Sequence, residues 1–282
     1  MKYEKIYRPD LLWSFIIKSK TTEENYVLSN TDDANVLKEF LENRKENEEI
    51  PENIQKIINN SKTEEFIMTK KKEKKILWVV DAQNDFMKPD GLLYVEGAEK
   101  IIPNIKKHIE RFQKIETDNF HDPLIICTMD LHKENSAELS TNPDFVNTFP
   151  KHCMADSDGA DLVDEIAEVI YPVSVDVIDW FDYYNYQDLC EIARQQKIII
   201  TKDKFDVFSG NPFTDKLLEI IKPDTVYVCG LATSICVNYA VLGLLKRGIG
   251  VYILTDSIKD LPSFGSSKAT IDKWVSAGAI LV

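Results

Sequence analysis

Residues 225–245 read TVYVCGLATSICVNYAVLGLL and contain no charged side chain in 21 consecutive positions. A run of this length could span a membrane as a single helix. However, Gly230, Thr233, Ser234 and Asn238 interrupt it, and a first part rich in β-branched residues is followed by a part rich in Ala and Leu. A buried strand followed by a turn and a buried helix explains this pattern. We therefore predict a strand, turn and helix here, and no membrane association.

The alternation of short β-branched runs with helical patterns continues on both sides of this unit. Continuous hydrophobic runs are typical of strands that are buried on both faces. The sequence therefore predicts an α/β fold, a three-layer parallel sheet covered by helices on both faces. The predicted strands are 76–80, 124–127, 197–201, 226–229, 251–254 and 279–282, and the predicted helices are 98–115, 214–221, 234–246 and 267–277.

Residues 1–72 differ in character from the remainder of the chain. They are dense in Glu, Lys and Asn, and apolar residues recur at helical spacing around residues 37–41 and 54–58. We expect a small, mostly helical N-terminal extension of unknown role, joined through the Lys-rich residues 70–75 to a larger domain at 73–282. The extension contains no catalytic motif.

Charge and cysteine content exclude several classes of function. The 282 residues include 47 acidic and 34 basic side chains, a formal net charge of −13, which opposes binding to nucleic acid or an anionic membrane. The five cysteines form no Cys-x-x-Cys pair, and the N-terminus has no signal-peptide pattern, so we expect a reduced, cytoplasmic location. A small-molecule substrate fits these features, and the oligomeric state, a homo-oligomer included, stays open.

Three chemically reactive side chains follow predicted strands. Asp81 follows 76–80, Lys202 follows 197–201, and Cys236 lies on the turn after 226–229. Because functional groups of open α/β sheets gather at the carboxyl ends of the strands, we expect these three to meet. A thiol at a helix N-terminus has a lowered pKa, which suits a nucleophile, with the carboxylate as proton acceptor. A buried inert cysteine, a capping Asp and a surface Lys are the alternative.

A second cluster has the composition of a metal site. Asp130 and His132 follow the strand predicted at 124–127 and point to the same side of an extended chain, and His152 comes from a separate loop. Two imidazoles and a carboxylate suit Zn²⁺ or Fe(II). We therefore expect one divalent transition metal.

Three ordered motifs resemble those of the isochorismatase-like cysteine hydrolases, and most closely their nicotinamidase branch. The motifs are VDAQNDF at 80–86, TKDKFDVFSG at 201–210 and CGLATSICV at 229–237. The resemblance extends from about Lys75 to the C-terminus. It implies a catalytic triad of Asp81, Lys202 and Cys236, an oxyanion hole formed by the N–H groups of Ala232 and Cys236, and a cis peptide between Leu231 and Ala232.

The same resemblance covers the metal and the substrate pocket. Asp-x-His at 130–132 and Pro-x-His-Cys at 150–153 are similar to the nicotinamidase metal site. Where many family members have a further His, this chain has Ser136 and Glu138, so Glu138 is a candidate fourth ligand, with Asp144 as a competitor and a solvated Glu138 as the alternative. Three aromatic residues match positions of the ring pocket, although core packing would explain them equally well: Phe86, Phe149 and Phe208.

The resemblance implies metal-dependent hydrolysis of nicotinamide to nicotinate and ammonia through a Cys thioester, a reaction of NAD salvage in pyridine nucleotide metabolism. The same triad could instead serve another small amide or a carbamoyl compound, because the stretch 152–202 is longer than usual and the aromatic residues 180–186 could reshape the pocket. The third hypothesis is that the chain is a binding protein without catalytic activity.

Overall fold

The computed structural model divides the chain into two compact units, Met1–Lys71 and Lys72–Val282. It describes residues 3–8, 11–18, 25–28, 36–37, 39–40, 50–60, 73–114, 125–172, 175–261 and 267–282. Within these ranges, no helix is long and apolar enough to cross a membrane. The uncharged run at 225–245 is divided between a strand and a helix, as its composition predicts.

The described part of the N-terminal unit begins with a three-stranded antiparallel sheet. The strands are β1 (Tyr3–Arg8), β2 (Leu11–Lys18) and β3 (Asn25–Leu28), in the order β1-β2-β3. A helix, α1 (Glu52–Asn60), follows. The expectation of a mostly helical extension is therefore wrong for the three described stretches 3–8, 11–18 and 25–28. The reason is visible in β2, where Trp, Phe and two Ile side chains favour a strand.

The second unit contains a seven-stranded parallel sheet with helices, which confirms the predicted fold class. The strands are β4 (Lys75–Val80), β5 (Ile125–Asp130), β6 (Asp176–Ile178), β7 (Lys197–Lys202), β8 (Thr225–Leu231), β9 (Gly250–Lys259) and β10 (Ile280–Leu281). Their order is β10-β9-β8-β4-β5-β7-β6, so the fold places β4 at the centre.

The helices of this unit are α2 (Asn84–Met87), α3 (Ile102–Phe112), α4 (Asp164–Ile170), α5 (Tyr186–Ile192), α6 (Val207–Gly210), α7 (Thr214–Ile221), α8 (Asn238–Lys246) and α9 (Ser267–Ser276). A single π-helical turn, Thr233–Val237, precedes α8. Every residue of β5 and β7 is buried, in keeping with strands covered on both faces. The sequence did not predict the helices α2, α4, α5 and α6 or the three-residue edge strand β6.

The strand order brings the carboxyl ends of four neighbouring strands together. In the sequence β8-β4-β5-β7, Val80 of β4 pairs with Gly230 of β8 and with Thr128 of β5, and Asp130 of β5 pairs with Lys202 of β7. Groups that follow these strands must therefore lie at one edge of the sheet.

Gly230 allows β8 to approach β4 closely just before the π turn. Its φ is +114°, and a Cβ built there would lie 2.0 Å from the carbonyl oxygen of Val80. Any other residue would clash with the β4 backbone, so the approach requires glycine.

Candidate active site

Lys202 lies at the centre of a buried cluster of charged and nucleophilic groups. Its Nζ is 2.9 Å from Oδ2 of Asp81 and 3.6 Å from Sγ of Cys236, and it also donates to Oδ1 of Asp130. All four side chains are at least 93% buried. One ammonium therefore faces two carboxylates and a thiol in a space that excludes bulk water.

Asp81 is held in place by its backbone and by a neighbouring strand. Its φ is +50°, an uncommon conformation for a residue other than glycine. The hydroxyl of Thr128, on β5, donates to Oδ1 of Asp81 at 2.7 Å. Burial raises the pKa of Asp81 above its usual value, and the carboxylate of Asp130 adds to this rise, while the ammonium of Lys202 opposes it. Asp81 is thus a carboxylate with an increased affinity for a proton.

Cys236 lies within the π turn, and its thiol is buried. Burial is the main reason that the pKa of Cys236 lies well above its usual range, and the carboxylates of Asp81 and Asp130 raise it further against the opposing charge of Lys202. The expectation that the helix N-terminus lowers this pKa is therefore wrong for this structure, because desolvation outweighs it. A nucleophile at this position needs a base beside it.

The ammonium of Lys202 remains charged in the cluster. Burial by itself lowers the pKa of Lys202, but the carboxylates of Asp130 and Asp81 outweigh burial and hold the pKa well above its usual range. The positive charge is consequently fixed between the two carboxylates.

The structure brings together the three predicted metal ligands. Oδ2 of Asp130 is 3.9 Å from Nε2 of His132 and 3.9 Å from Nε2 of His152, and ligand atoms of the three residues lie within 4.8 Å of one another. His132 Nδ1 is 3.0 Å from the hydroxyl of Ser136, and His152 Nδ1 is 2.7 Å from the carbonyl oxygen of Pro150.

The imidazole atoms of this cluster suit a metal ion. Because each Nδ1 has a partner, each Nε2 can present its lone pair towards Asp130. Nε2 of His132 is buried and has no hydrogen-bond partner. Burial, together with the charges of His152 and Lys202, lowers the pKa of His132 to about 3, so this ring is neutral, as a metal ligand must be.

Glu138 and Asp144 are not part of this three-residue group. Oε1 of Glu138 accepts a hydrogen bond from the N–H of Phe205 at 3.1 Å, whereas Oε2 is buried without a partner, and burial raises the pKa of Glu138 to about 8. Asp144 is exposed and accepts from the N–H groups of three following residues, which holds its pKa well below the usual range. Asp144 therefore organises its own loop.

A small, mostly apolar cavity adjoins the cluster. Its lining includes Asp130, His152 and Cys236 as the reactive groups, and Ala232 lies beside Cys236 in the same wall. The Leu231–Ala232 peptide is cis, as the resemblance implies. The remaining lining residues are Phe86, Leu93, Val95, Phe149, Phe205, Leu231, Ile235 and Leu261.

Two of the three predicted pocket aromatics line this cavity, and the third does not. The ring of Phe208 instead packs beneath Arg247, whose Cζ is 3.6 Å from the ring centroid, and against Gly243 of α8. Phe205 takes its place and packs edge-on against Phe149, with ring centroids 5.5 Å apart. Phe205 is nearer than Phe208 to the end of β7, which is the signal that could have identified it.

Sequence reasoning missed two buried polar residues inside the first motif. The side-chain amide of Gln83 donates to the carbonyl oxygen of Asp130 at 2.7 Å and accepts from its N–H at 2.8 Å. Asp85 accepts from the N–H of Cys153 at 2.6 Å, next to His152. These two side chains fix the backbone that carries two of the predicted metal ligands.

The aromatic residues 180–186 lie outside the cavity wall described above. Nε1 of Trp180 donates to the carbonyl oxygen of Leu131 at 2.8 Å, between the proposed ligands Asp130 and His132. The contact ties this segment to the backbone between two of the predicted metal ligands, and its effect on the shape of the pocket stays a prediction.

Comparison with known proteins agrees with this architecture. A family model described as the isochorismatase domain matches residues 186–282. The nicotinamidase of Acinetobacter baylyi is 26% identical over 220 residues, covering 72% of this chain and 89% of that protein, and the nicotinamidase of Saccharomyces cerevisiae is 25% identical over 203 residues, covering 64% and 86%.

A solved structure has the same fold over the second unit. The pyrazinamidase of Pyrococcus horikoshii, in complex with zinc, is 28% identical, with a TM-score of 0.54, covering 74% of this chain and 98% of that one. Taken together with the motifs at the ends of β4, β7 and β8, these similarities show that the second unit has the isochorismatase-like hydrolase fold and is an amidohydrolase similar to the nicotinamidases and pyrazinamidases.

Proposed function

We propose that this protein hydrolyses nicotinamide to nicotinate and ammonia through a thioester on Cys236, a step of NAD salvage. The observation that carries the proposal is the contact of Lys202 with Asp81, Asp130 and Cys236 at the wall of an apolar cavity. The nicotinamidase relatives in Acinetobacter baylyi and Saccharomyces cerevisiae support the choice of amide.

Asp81 serves as the general base in the first half of the reaction. It accepts the proton of the Cys236 thiol, and the thiolate attacks the amide carbon to form a tetrahedral intermediate. The N–H groups of Ala232 and Cys236 receive the negative oxygen. The intermediate collapses by breaking the C–N bond, and protonated Asp81 gives its proton to the departing nitrogen, which leaves as ammonia.

The second half uses the same groups in reverse. A water molecule loses a proton to Asp81 and attacks the thioester carbon; the C–S bond breaks, and Asp81 returns the proton to the sulfur of Cys236. The raised pKa of Asp81 favours acceptance of a proton from the thiol and from water. The positive charge of Lys202 limits the rise in the pKa of Asp81, so that Asp81 can release the proton again.

Asp130, His132 and His152 are proposed to hold one Zn²⁺ or Fe(II) ion. The buried, unpartnered Nε2 of His132 supports this assignment, as does the zinc complex of the Pyrococcus horikoshii pyrazinamidase. When bound, the metal would supply a Lewis acid that anchors the pyridine nitrogen of the substrate. Glu138 stays the proposed fourth ligand on the strength of its buried, unpartnered Oε2.

The cavity is proposed to select a flat, uncharged ring. Its wall is formed by Phe86, Phe149 and Phe205 together with aliphatic residues, and such a lining favours an aromatic ring over a charged group. Among the residues that the structure describes, only His152 and Asp130 present polar side-chain atoms to the cavity apart from the nucleophile.

Ammonia release from a panel of amides tests the proposal. We expect nicotinamide and pyrazinamide to be hydrolysed, benzamide, which lacks a ring nitrogen, to be a poor substrate, and the difference to shrink after treatment with a chelator. No ammonia from any amide would overturn the proposed function. Equal rates for nicotinamide and benzamide would overturn the role of the metal, and metal affinity unchanged by Glu138→Gln would remove Glu138 from the ligand set.

A further inference from the structure

The turn that carries Cys236 is held from outside the active site by one carboxylate. The turn is a single π-helical one, Thr233–Val237, a backbone conformation that is rarely stable by itself and depends on surrounding contacts. Its second residue, Ser234, donates from its N–H to Oδ1 of Asp260 at 3.0 Å, and its hydroxyl donates to Oδ2 of the same carboxylate. Asp260 thus binds the turn through both of its oxygens.

The same carboxylate also binds the segments on the far side of the turn. Asp260 directly follows β9, and Oδ2 accepts from the hydroxyl of Ser267, the first residue of α9, at 3.1 Å. The hydroxyl of Thr270, one turn along α9, is 3.1 Å from that of Ser234. The π turn is consequently tied to both β9 and α9 through Asp260, and Thr270 adds a second contact to α9.

We propose that Asp260 is a positioning residue for the nucleophile. It touches neither the cavity nor the reacting groups in the described structure, but its partner Ser234 is two residues before Cys236, and its neighbour Leu261 lines the cavity together with Ile235. Asp260 therefore sets the place of Sγ with respect to Asp81 and to the bound amide. The inference rests on the proposed function for its kinetic readout.

Misplacing the nucleophile by about 1 Å can reduce the rate of a reaction by about 100-fold. We expect Asp260→Ala to lower kcat for nicotinamide by about 10- to 100-fold and to leave KM within about threefold, because the cavity wall is otherwise intact. Ser234→Ala removes one of the two contacts and should cause a smaller loss. Because both changes act on one interaction, the double variant should lose no more than Asp260→Ala alone.

Two control variants separate positioning from stability. Asp256→Asn changes another carboxylate of β9, which faces His108 at 3.2 Å, and Ser267→Ala removes a partner of Asp260 that does not touch the turn. Both should keep kcat within about twofold of the unmodified protein. Asp260→Asn keeps the shape of the side chain and one hydrogen-bond acceptor, so its kcat should lie between those of the unmodified protein and Asp260→Ala. It replaces Asp260→Ala in the test if the alanine variant does not fold.

A readout without substrate keeps this inference distinct from the proposed function. Iodoacetamide labelling, followed at each cysteine by mass spectrometry, should become about threefold faster or more at Cys236 in Asp260→Ala, because the buried turn opens more often. Labelling of Cys190, on α5, should not change. Folded Asp260→Ala with kcat and Cys236 labelling like the unmodified protein would overturn the inference, as would an equal effect of Asp256→Asn. Absence of ammonia release in the unmodified protein would instead refute the proposed function, and labelling would still decide the role of Asp260.

Discussion

Replacement of Lys202 by methionine gives a quantitative test of the buried charge cluster. The side chains are similar in volume, so the main change is the loss of the ammonium 2.9 Å from Oδ2 of Asp81 and in contact with Asp130. At an effective dielectric constant of about 20, a pair at this distance attracts by about 6 kcal/mol. The desolvation of Lys202 offsets part of this, and removing one partner from a buried ion pair costs about 3–5 kcal/mol. We expect Lys202→Met to lower the free energy of unfolding by about 3–5 kcal/mol at pH 8. We also expect it to abolish amidase activity.

The loss should depend on pH in a defined direction. Without Lys202, the charge that opposes the rise in the pKa of Asp81 is gone, so this pKa climbs further above its unfolded value of about 4. A carboxyl whose folded pKa is raised destabilises the fold progressively as the pH rises from its unfolded pKa through its folded pKa. The difference in the free energy of unfolding between Lys202→Met and the unmodified protein should therefore be small near pH 4 to 5 and largest at pH 8.

Urea unfolding in the presence of a chelator, at pH 5 and pH 8, measures both effects. Lys204→Met is the matched control, because Lys204 lies two residues away and is exposed, and it should change the free energy of unfolding by less than about 0.5 kcal/mol. Adding Asp130→Asn to Lys202→Met should recover part of the loss, since one of the two uncompensated carboxylates is removed. A loss below about 1 kcal/mol, or an equal loss at both pH values, would refute the argument.

Three further predictions concern the nucleophile, the metal and the domain boundary. Cys236→Ala should abolish ammonia release with the fold intact, whereas Cys153→Ala should keep much of it; equal losses in the two variants would contradict the assigned nucleophile. Elemental analysis should find about one transition-metal ion per chain, lost from a variant with both His132→Ala and His152→Ala, and full retention would place the metal elsewhere. A chain shortened to begin at Lys72 should fold and keep ammonia release, because every proposed site residue follows it; a monodisperse but inactive product in sedimentation would show that the first unit completes the active site.

The three proposed catalytic residues could be identified from the sequence because each lies at, or within five residues of, the carboxyl end of a buried strand. Asp81, Lys202 and Cys236 follow runs of β-branched residues, and these runs also indicate a parallel sheet, whose carboxyl ends share one edge. Local composition is a poorer guide in the N-terminal unit, where it predicts a mostly helical extension and the structure has the strand β2. The boundary of the units was visible as a change of composition near residues 70–75.

Only the tertiary structure decided how the groups affect one another. The order β8-β4-β5-β7 makes one ammonium, Lys202, serve both Asp81 and Asp130, and no sequence pattern specifies that strand order. The helix position of Cys236 suggested a lowered pKa, but burial, which depends on everything packed around the thiol, raises it. Strand and helix propensities are set by neighbours along the chain, whereas desolvation and charge contacts are set by residues far apart in sequence, and for that reason they appear only after folding.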